Sequence, residues 1–285
     1  MKKFFLIISI FVASFFCYTI TSAQLNQKQQ TGGQKTIIKF ASYVDYFPIS
    51  KIDNIKSIPS YEGVFDNFIK DMCDSYHYEC QPFINNNYIQ TIKANTDELD
   101  IVIGAYSDSN LYEDYKLIYP SILDNPVHLV MLPSNISKIS KISDLKPLKG
   151  AIDSNEQWND FVLEQFSDLD IKTMDSSEEM YRQLISGEID YVFTTYWYGT
   201  SEIMKLGIQD FVSVSQKGIW NMPLFIAVSN SSRHQAHLEH YITEELKKEG
   251  TIEKIKNRAI EKLNEVKLNN QGVVPEAYIL KKDDN

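Results

Sequence analysis

The sequence predicts an α/β protein of two lobes, each a doubly wound, mostly parallel sheet flanked by helices. Two stretches ninety residues apart support this prediction, because residues 99–106 read LDIVIGAY and residues 189–196 read IDYVFTTY. In each stretch an acidic residue precedes a β-rich apolar run, a pattern typical of a parallel strand buried on both faces. Ligands of open parallel sheets bind beyond the carboxyl ends of the strands. The sequence therefore predicts a ligand site in a cleft between two such lobes.

The first unit has its elements in the order strand, loop, helix, strand, helix and strand. Short apolar runs bounded by polar residues indicate the strands, and a 3.6-residue apolar period indicates the helices. The predicted ranges are 36–41, 43–48 (an aromatic loop), 61–75, 78–83, 89–94 and the run that starts at Asp100. Parallel strands joined through helices in this way form a doubly wound unit with right-handed crossovers.

A second unit follows residues 123–132, which are predicted to form an apolar strand that leaves the first unit. Its predicted elements are a short helix from Ile142, a strand ending at Ile152, a helix at 158–166, a strand at 171–174, a capped helix at 176–185 and a strand at Asp190. After this unit the chain still contains an apolar strand at 222–229 and a helical stretch at 237–266, broken at Gly250 and Thr251. The second unit is therefore predicted to be inserted into the first.

An inserted lobe requires the chain to cross between the lobes twice. The crossings are expected near 124–127 and 220–223, and two crossing segments form a hinge that permits closure over a ligand. Lobe 1 is then expected to comprise 36–126 and 222–268, and lobe 2 to comprise 127–221.

The amino terminus is typical of a secretory signal. Lys2 and Lys3 precede an apolar run at 4–16, and small residues lead up to Ala23. We expect a signal peptide at 1–23 that is cleaved near Ala23 and a periplasmic mature protein, with a retained anchor as the alternative. Residues 24–35 are expected to be a flexible polar leader, and 269–285 a C-terminal tail.

Composition excludes some partners. The net charge of −10 becomes −12 once Lys2 and Lys3 are removed with the signal, and the chain has only three arginines. Such a protein binds polyanions poorly, so no nucleic-acid partner is expected. We expect a monomer.

Two cysteines remain after the signal, Cys73 and Cys80, seven residues apart. They fall across a helix end and the next strand, where a disulfide is possible in an oxidising compartment, and two reduced buried thiols are the alternative.

His234, His237 and His240 recur every three residues and fan around a helix instead of converging. No metal and no cofactor are therefore predicted.

Four motifs in order resemble the periplasmic solute-binding proteins of the polar-amino-acid type, bacterial extracellular solute-binding protein family 3. They are SYVDYFP, YEGVFDNFIKDMC, ISDLKPLKG and SGEIDYVF. The resemblance covers residues 36–266 and implies the two-lobed periplasmic-binding-protein type II fold. It also implies a disulfide between Cys73 and Cys80, and transient delivery of the solute to the membrane permease of an ABC importer.

The resemblance also implies where the solute is contacted. An aromatic residue that stacks on the ligand falls on Tyr46, and a loop offering backbone N–H groups at a helix start falls on Asp153, Ser154 and Asn155. The other implied or cleft-lining positions are Tyr43, Asn87, Tyr88, Gly104, Ala105 and Ser107.

Two positions depart from the family. The arginine that grips an α-carboxylate falls on Tyr112, and the carboxylate that holds the α-ammonium falls on Thr195. The sequence thus predicts the scaffold without the amino-acid grip, and a small polar or aromatic solute held by aromatic faces, hydroxyls and backbone groups.

Two alternatives use the same scaffold. One is a periplasmic dehydratase-like enzyme, which needs a cationic grip and a general acid. The other is a sensor domain that has lost transport. No Gly-x-Ser-x-Gly elbow is present, so nucleophilic catalysis has no support and no enzyme is predicted.

Overall fold

A computed structural model describes residues 35–42, 45–53, 60–83, 88–107 and 109–269. The predicted signal peptide, almost all of the predicted leader and the predicted tail beyond residue 269 lie outside these residues. In the part of the chain that is described, no helix is long and apolar enough to cross a membrane.

The described elements are strands, helices and two short 3₁₀ turns. Up to the first crossing they are β1 (Ile37–Ala41), β2 (Asp45–Tyr46), β3 (Ser50–Asp53), β4 (Ser60–Tyr61), α1 (Val64–Ser75), β5 (Glu79–Phe83), α2 (Tyr88–Ala94), β6 (Ile101–Tyr106), a 3₁₀ turn (Asn110–Tyr112) and β7 (Tyr115–Leu123). The remaining elements are β8 (Pro126–Met131), α3 (Pro133–Ile136), a 3₁₀ turn (Ile142–Leu145), β9 (Lys149–Asp153), α4 (Asn159–Gln165), β10 (Asp170–Met174), α5 (Ser177–Ser186), β11 (Tyr191–Thr195), α6 (Tyr196–Lys205), β12 (Ser213–Val214), β13 (Trp220–Asn221), β14 (Leu224–Ser229), α7 (Gln235–Lys247) and α8 (Thr251–Asn269).

The first sheet has the strand order β5-β1-β6-β14-β7. β1 pairs in parallel with β5 and β6, while β14 runs antiparallel to β6 and β7. Every residue of β6 and β14 is buried, as expected of strands covered on both faces. β2, β3 and β4 form a separate small sheet next to α1.

The second sheet has the order β10-β9-β11-β8-β12, with β13 also paired to β8. β9 is parallel to β10 and β11, and β8 is antiparallel to β11. α5 covers this sheet. Its amino end is capped by Ser176, whose Oγ accepts from the Glu179 N–H at 3.3 Å, and it ends at Gly187, which has φ +80°.

The chain passes between the sheets twice, and the two passages are hydrogen bonded to each other. The Asn125 N–H donates to Oδ1 of Asn221 at 3.2 Å, and the Met222 N–H donates to the carbonyl oxygen of Asn125 at 3.1 Å. Both sheets belong to one compact unit that begins at Ile37. The predicted architecture of two lobes joined by two crossing segments is confirmed, while the lobe boundaries stay a prediction.

Three local predictions differ from the structure. The strand predicted at 123–132 is shorter, because Leu123 still belongs to β7 and the chain changes sheets before β8 begins at Pro126. β7 itself was not predicted, since Pro120 interrupts its pattern. The proline is tolerated there because β7 is an edge strand. α6 was not predicted either, because its YWYG start has weak helix propensity.

The Cys73–Cys80 pair closes a short loop between α1 and β5. The two sulfurs are bonded and the Cα atoms are 5.9 Å apart. Replacing both cysteines by serine is expected to lower the free energy of unfolding by about 2 kcal/mol, because the unfolded chain regains the loop-closure entropy. Urea titrations with and without a thiol reductant test this. The reductant should destabilise the wild type and leave the double variant unchanged. Equal stability of the two proteins without reductant would contradict the prediction.

Candidate ligand-binding site between the lobes

The carboxyl ends of β6 and β11 meet at Tyr46. The Tyr46 hydroxyl lies 3.5 Å from the hydroxyl of Tyr106, the last residue of β6, and 3.2 Å from Oγ1 of Thr195, the last residue of β11. All three side chains are buried, with Thr195 fully inaccessible. The carboxyl ends of β6 and β11, the two strands on which the fold prediction rests, therefore lie together where the lobes are in contact.

Asn125 connects this contact to the hinge. Its Nδ2 donates to the hydroxyl of Tyr46 at 2.8 Å and to that of Tyr106 at 3.0 Å, and its Oδ1 accepts from the Trp197 N–H at 3.3 Å. The side chain is fully buried. Sequence reasoning missed Asn125, although a polar Asp-Asn pair that interrupts an apolar run was a signal for it.

A second bridge between the lobes involves Tyr112, the position at which the resemblance expects an arginine. The Tyr112 hydroxyl donates to Oε1 of Gln157, and Nε2 of Gln157 donates to the carbonyl oxygen of Gly104 at 3.4 Å. Gly104 has φ +77°, a backbone conformation that favours glycine. Burial raises the pKa of Tyr112 well above its usual value, so this bridge is neutral.

Asp153 is the buried member of the predicted second-lobe loop. Its Oδ2 accepts from the Tyr198 hydroxyl at 2.9 Å, and its Oδ1 accepts from the Asn155 N–H at 2.9 Å. The Ser154 N–H donates to the carbonyl oxygen of Met174 at 2.8 Å. Two of the backbone donors predicted to face a ligand therefore already have protein acceptors. The Tyr198 ring meets that of Tyr46 edge to face, with centroids 5.6 Å apart.

Other predicted site residues have different surroundings. The Tyr88 hydroxyl donates to the carbonyl oxygen of Ile103 at 2.6 Å, within the first lobe. Ala105 is fully buried in β6, whereas Ser107 is exposed. Tyr43 and Asn87 lie outside the described residues.

Glu156 is a buried carboxylate that sequence reasoning did not select. Its Oε2 accepts from Nε1 of Trp158 at 2.7 Å, and the residue is only 8% exposed. Burial, and then the nearby charges of Asp153 and Glu202, raise the pKa of Glu156 to about 8. A raised pKa is the expected response of a carboxylate that is desolvated beside other acids.

A cavity of about 580 Å³ opens beside these contacts and is lined by residues from both predicted lobes. From the first-lobe side its wall includes Lys93 of α2 and Leu111, and from the second-lobe side it includes Glu156, Gln157 and Phe161. The volume lies in the range of small-molecule sites. The cavity and the Tyr112 bridge share Gln157, so a ligand there would be adjacent to the contacts that join the lobes.

A buried network supports the loop that carries Tyr46. Oδ1 of Asp66 accepts from Oγ of Ser42 at 2.6 Å and from Oγ of Ser50 at 3.0 Å, and Oδ2 accepts from the Lys51 N–H at 2.8 Å. Burial raises the pKa of Asp66 to about 6. Gly63 lets the start of α1 pack closely against Ser50, since a Cβ at position 63 would lie 2.3 Å from Cα of Ser50.

Structural comparisons agree with this architecture. No protein-family model matches the chain, and no curated protein matches it in sequence. The AvGluR1 ligand binding domain complexed with methionine is 20% identical, with a TM-score of 0.64 over 80% of this chain and 96% of that one. The amino acid ABC transporter substrate-binding protein AbpA from Streptococcus pneumoniae, bound to L-arginine, is 10% identical, with a TM-score of 0.63 over 80% and 95%.

A binding component of an ABC transporter from Wolinella succinogenes, complexed with lysine, is 14% identical, with a TM-score of 0.65 over 79% of this chain and 96% of that one. At these identities the similarity establishes the fold and not the ligand. The chain has the two-lobed periplasmic-binding-protein type II fold.

The contact between Tyr46 and Thr195 is expected to favour closure. Replacing Thr195 by valine removes one interlobe hydrogen bond and keeps the shape, which is expected to cost the closed form about 1 kcal/mol and to raise the ratio of open to closed protein about fivefold. Small-angle scattering of the ligand-free protein measures this as a larger radius of gyration. Thr200→Val, at a half-buried position in α6, is the matched control. Identical scattering from Thr195→Val and wild type would contradict the prediction.

Proposed function

We propose that this protein is a periplasmic solute-binding protein that captures a small polar or aromatic solute between its lobes and delivers it to an ABC importer. The observation that supports this most directly is the 580 Å³ cavity, whose wall comes from both lobes and includes Gln157 of an interlobe bridge. A solute that contacts both walls binds the closed form better than the open form. Its binding therefore shifts the population towards closure.

The proposed grip differs from that of an amino-acid binder. The positions that the resemblance assigns to an arginine and a carboxylate are Tyr112 and Thr195, and both make neutral contacts between the lobes. We propose that these hydroxyls, with that of Tyr46, hold the lobes together around the solute, and that Gln157 contacts the solute from the cavity wall. In this proposal lobe 1 comprises 36–126 and 222–268, lobe 2 comprises 127–221, and the exported protein acts as a monomer.

A thermal-shift screen of the mature chain tests the proposal. The panel contains amino acids, polyamines, sugars and aromatic acids, and a bound solute is expected to raise the melting temperature in proportion to its saturation. Small-angle scattering should show a smaller radius of gyration with the stabilising solute than without it. The proposal fails if no class of solute stabilises the chain. It also fails if prephenate or arogenate loses its carboxylate on incubation, since that outcome would identify an enzyme.

A further inference from the structure

The second-lobe wall of the 580 Å³ cavity contains a carboxylate whose hydrogen bonding is incomplete. Glu156 lines the cavity and is 8% exposed. Its Oε2 accepts from Trp158, while Oε1 has no hydrogen-bond partner among the described residues. Oε1 is not among the fully buried atoms that lack a partner, so it stays accessible and can accept a hydrogen bond from a ligand in the cavity.

A second acceptor in the same wall also has no donor. Asn159 lines the cavity at 8% exposure, and its Nδ2 donates to the carbonyl oxygen of Asp153 at 2.6 Å. Its Oδ1 is buried and has no partner in the described part of the chain. Asn159 is the first residue of α4 and its N–H donates to the carbonyl oxygen of Glu156 at 3.3 Å, so the wall has two unused side-chain acceptors on neighbouring residues.

The charge of the cavity has the same sign as Glu156. Asp160 and Glu164 of α4 also line it, and Lys93 is the basic residue among the described lining residues. No ion pair joins Lys93 to any of these three acids in the described structure. A ligand carboxylate placed beside Glu156 would face three acids with one lysine as counter-charge, whereas a cationic donor would complete the hydrogen bonding of Glu156.

We propose that the solute is an organic amine that carries at least one ammonium group and no carboxylate, with the ammonium bound by Glu156 in this cavity. This inference rests on the proposed function and names the solute class for the same site. Ammonium groups have three donors and no acceptor, which matches a wall with unused acceptors. The cavity is large enough for a short chain with a second amine.

Amine binding is expected to be linked to proton release. Burial, followed by the charges of Asp153 and Glu202, raises the pKa of Glu156 to about 8, so this carboxyl is mostly protonated in the free protein at pH 7. The other titratable groups that interact with it are Tyr46, Tyr106, Tyr181 and Tyr198, whose pKa values are all raised and which stay neutral. An ammonium ion favours the ionised carboxylate, so affinity should increase as the pH rises from 6 to 8.

Isothermal titration of the full mature chain with 1,4-diaminobutane, 1,4-butanediol and 4-aminobutanoic acid tests the inference. The diamine is expected to bind at least tenfold more tightly than the diol or the amino acid. Its heat at pH 7 should vary with the ionisation enthalpy of the buffer, because a proton leaves Glu156. Glu156→Gln should weaken diamine binding at least tenfold, whereas Glu113→Gln, an exposed acid outside the cavity wall, should leave it unchanged.

The outcomes separate this inference from the proposed function. If amines fail to bind while another class of solute stabilises the protein, the inference is overturned and the proposed function stands. If no solute binds, both fail. The three-compound series on the wild type decides the matter even if Glu156→Gln does not fold, since preference for the amino acid or the diol would overturn the inference without any variant.

Discussion

Replacing Asp66 by alanine is expected to lower the free energy of unfolding by about 3 kcal/mol and to weaken solute binding. The alanine leaves the hydroxyls of Ser42 and Ser50 and the Lys51 N–H without their acceptor. Each buried donor that loses its partner costs about 1 to 3 kcal/mol, and the total stays moderate because the Ser42 and Ser50 hydroxyls keep the hydrogen bond that they already make to each other. Because these groups flank the loop that carries Tyr46, the loss also loosens the first-lobe side of the site.

Urea unfolding at pH 7 measures the stability of the variant. Its affinity for the solute that stabilises the wild type in the thermal-shift screen measures binding. Asp71→Ala is the matched control, since Asp71 lies on the same helix with an exposed side chain. We expect that variant to stay within about 0.5 kcal/mol of wild type. If Asp66→Ala is as stable as Asp71→Ala, the network does not hold the loop.

Much of the fold could be predicted because apolar periodicity determines where strands are buried. β6 and β11 have continuous apolar sequences, which are typical of strands covered on both faces, and each is buried at every residue. The insertion of one unit into the other also follows from the chain, since an apolar strand and two helices remain after the second unit. The break between α7 and α8 lies at the predicted Gly250, which has φ +80°.

The site was harder to predict because its key groups are defined by contacts across the lobes. Asn125 is one polar residue in a turn by sequence, and only the meeting of β6, the Tyr46 loop and α6 makes it a buried hub. Glu156 shows no motif either, and its unusual pKa comes from burial beside Asp153 and Glu202, which is distant in sequence. Such tertiary electrostatics leave no local signal in the sequence.

Raising the pH from 6.5 to 8 is expected to lower the free energy of unfolding by about 2 kcal/mol, through Glu156. Its pKa is about 8 in the folded protein and near 4.5 when unfolded, so in this range the folded state binds more protons. Stability therefore falls as the pH rises through the folded pKa, by about 1.4 kcal/mol per pH unit while the group is mostly protonated. Asp66, with a pKa of about 6, adds a loss that is mostly complete below this range.

Groups that act in the opposite direction do not mask the effect. Burial lowers the pKa of His128, so its contribution rises with pH, but this occurs mainly below its usual value of 6.5. Urea titrations at pH 6.5, 7.2 and 8.0 at constant ionic strength measure the slope. Glu156→Gln, which cannot ionise, should make the curve nearly flat in this range, while Glu113→Gln should keep the wild-type slope. An equal slope in Glu156→Gln and wild type would show that Glu156 is already ionised at pH 6.5. In that case the cavity would hold a permanent negative charge, and diamine affinity would no longer depend on pH.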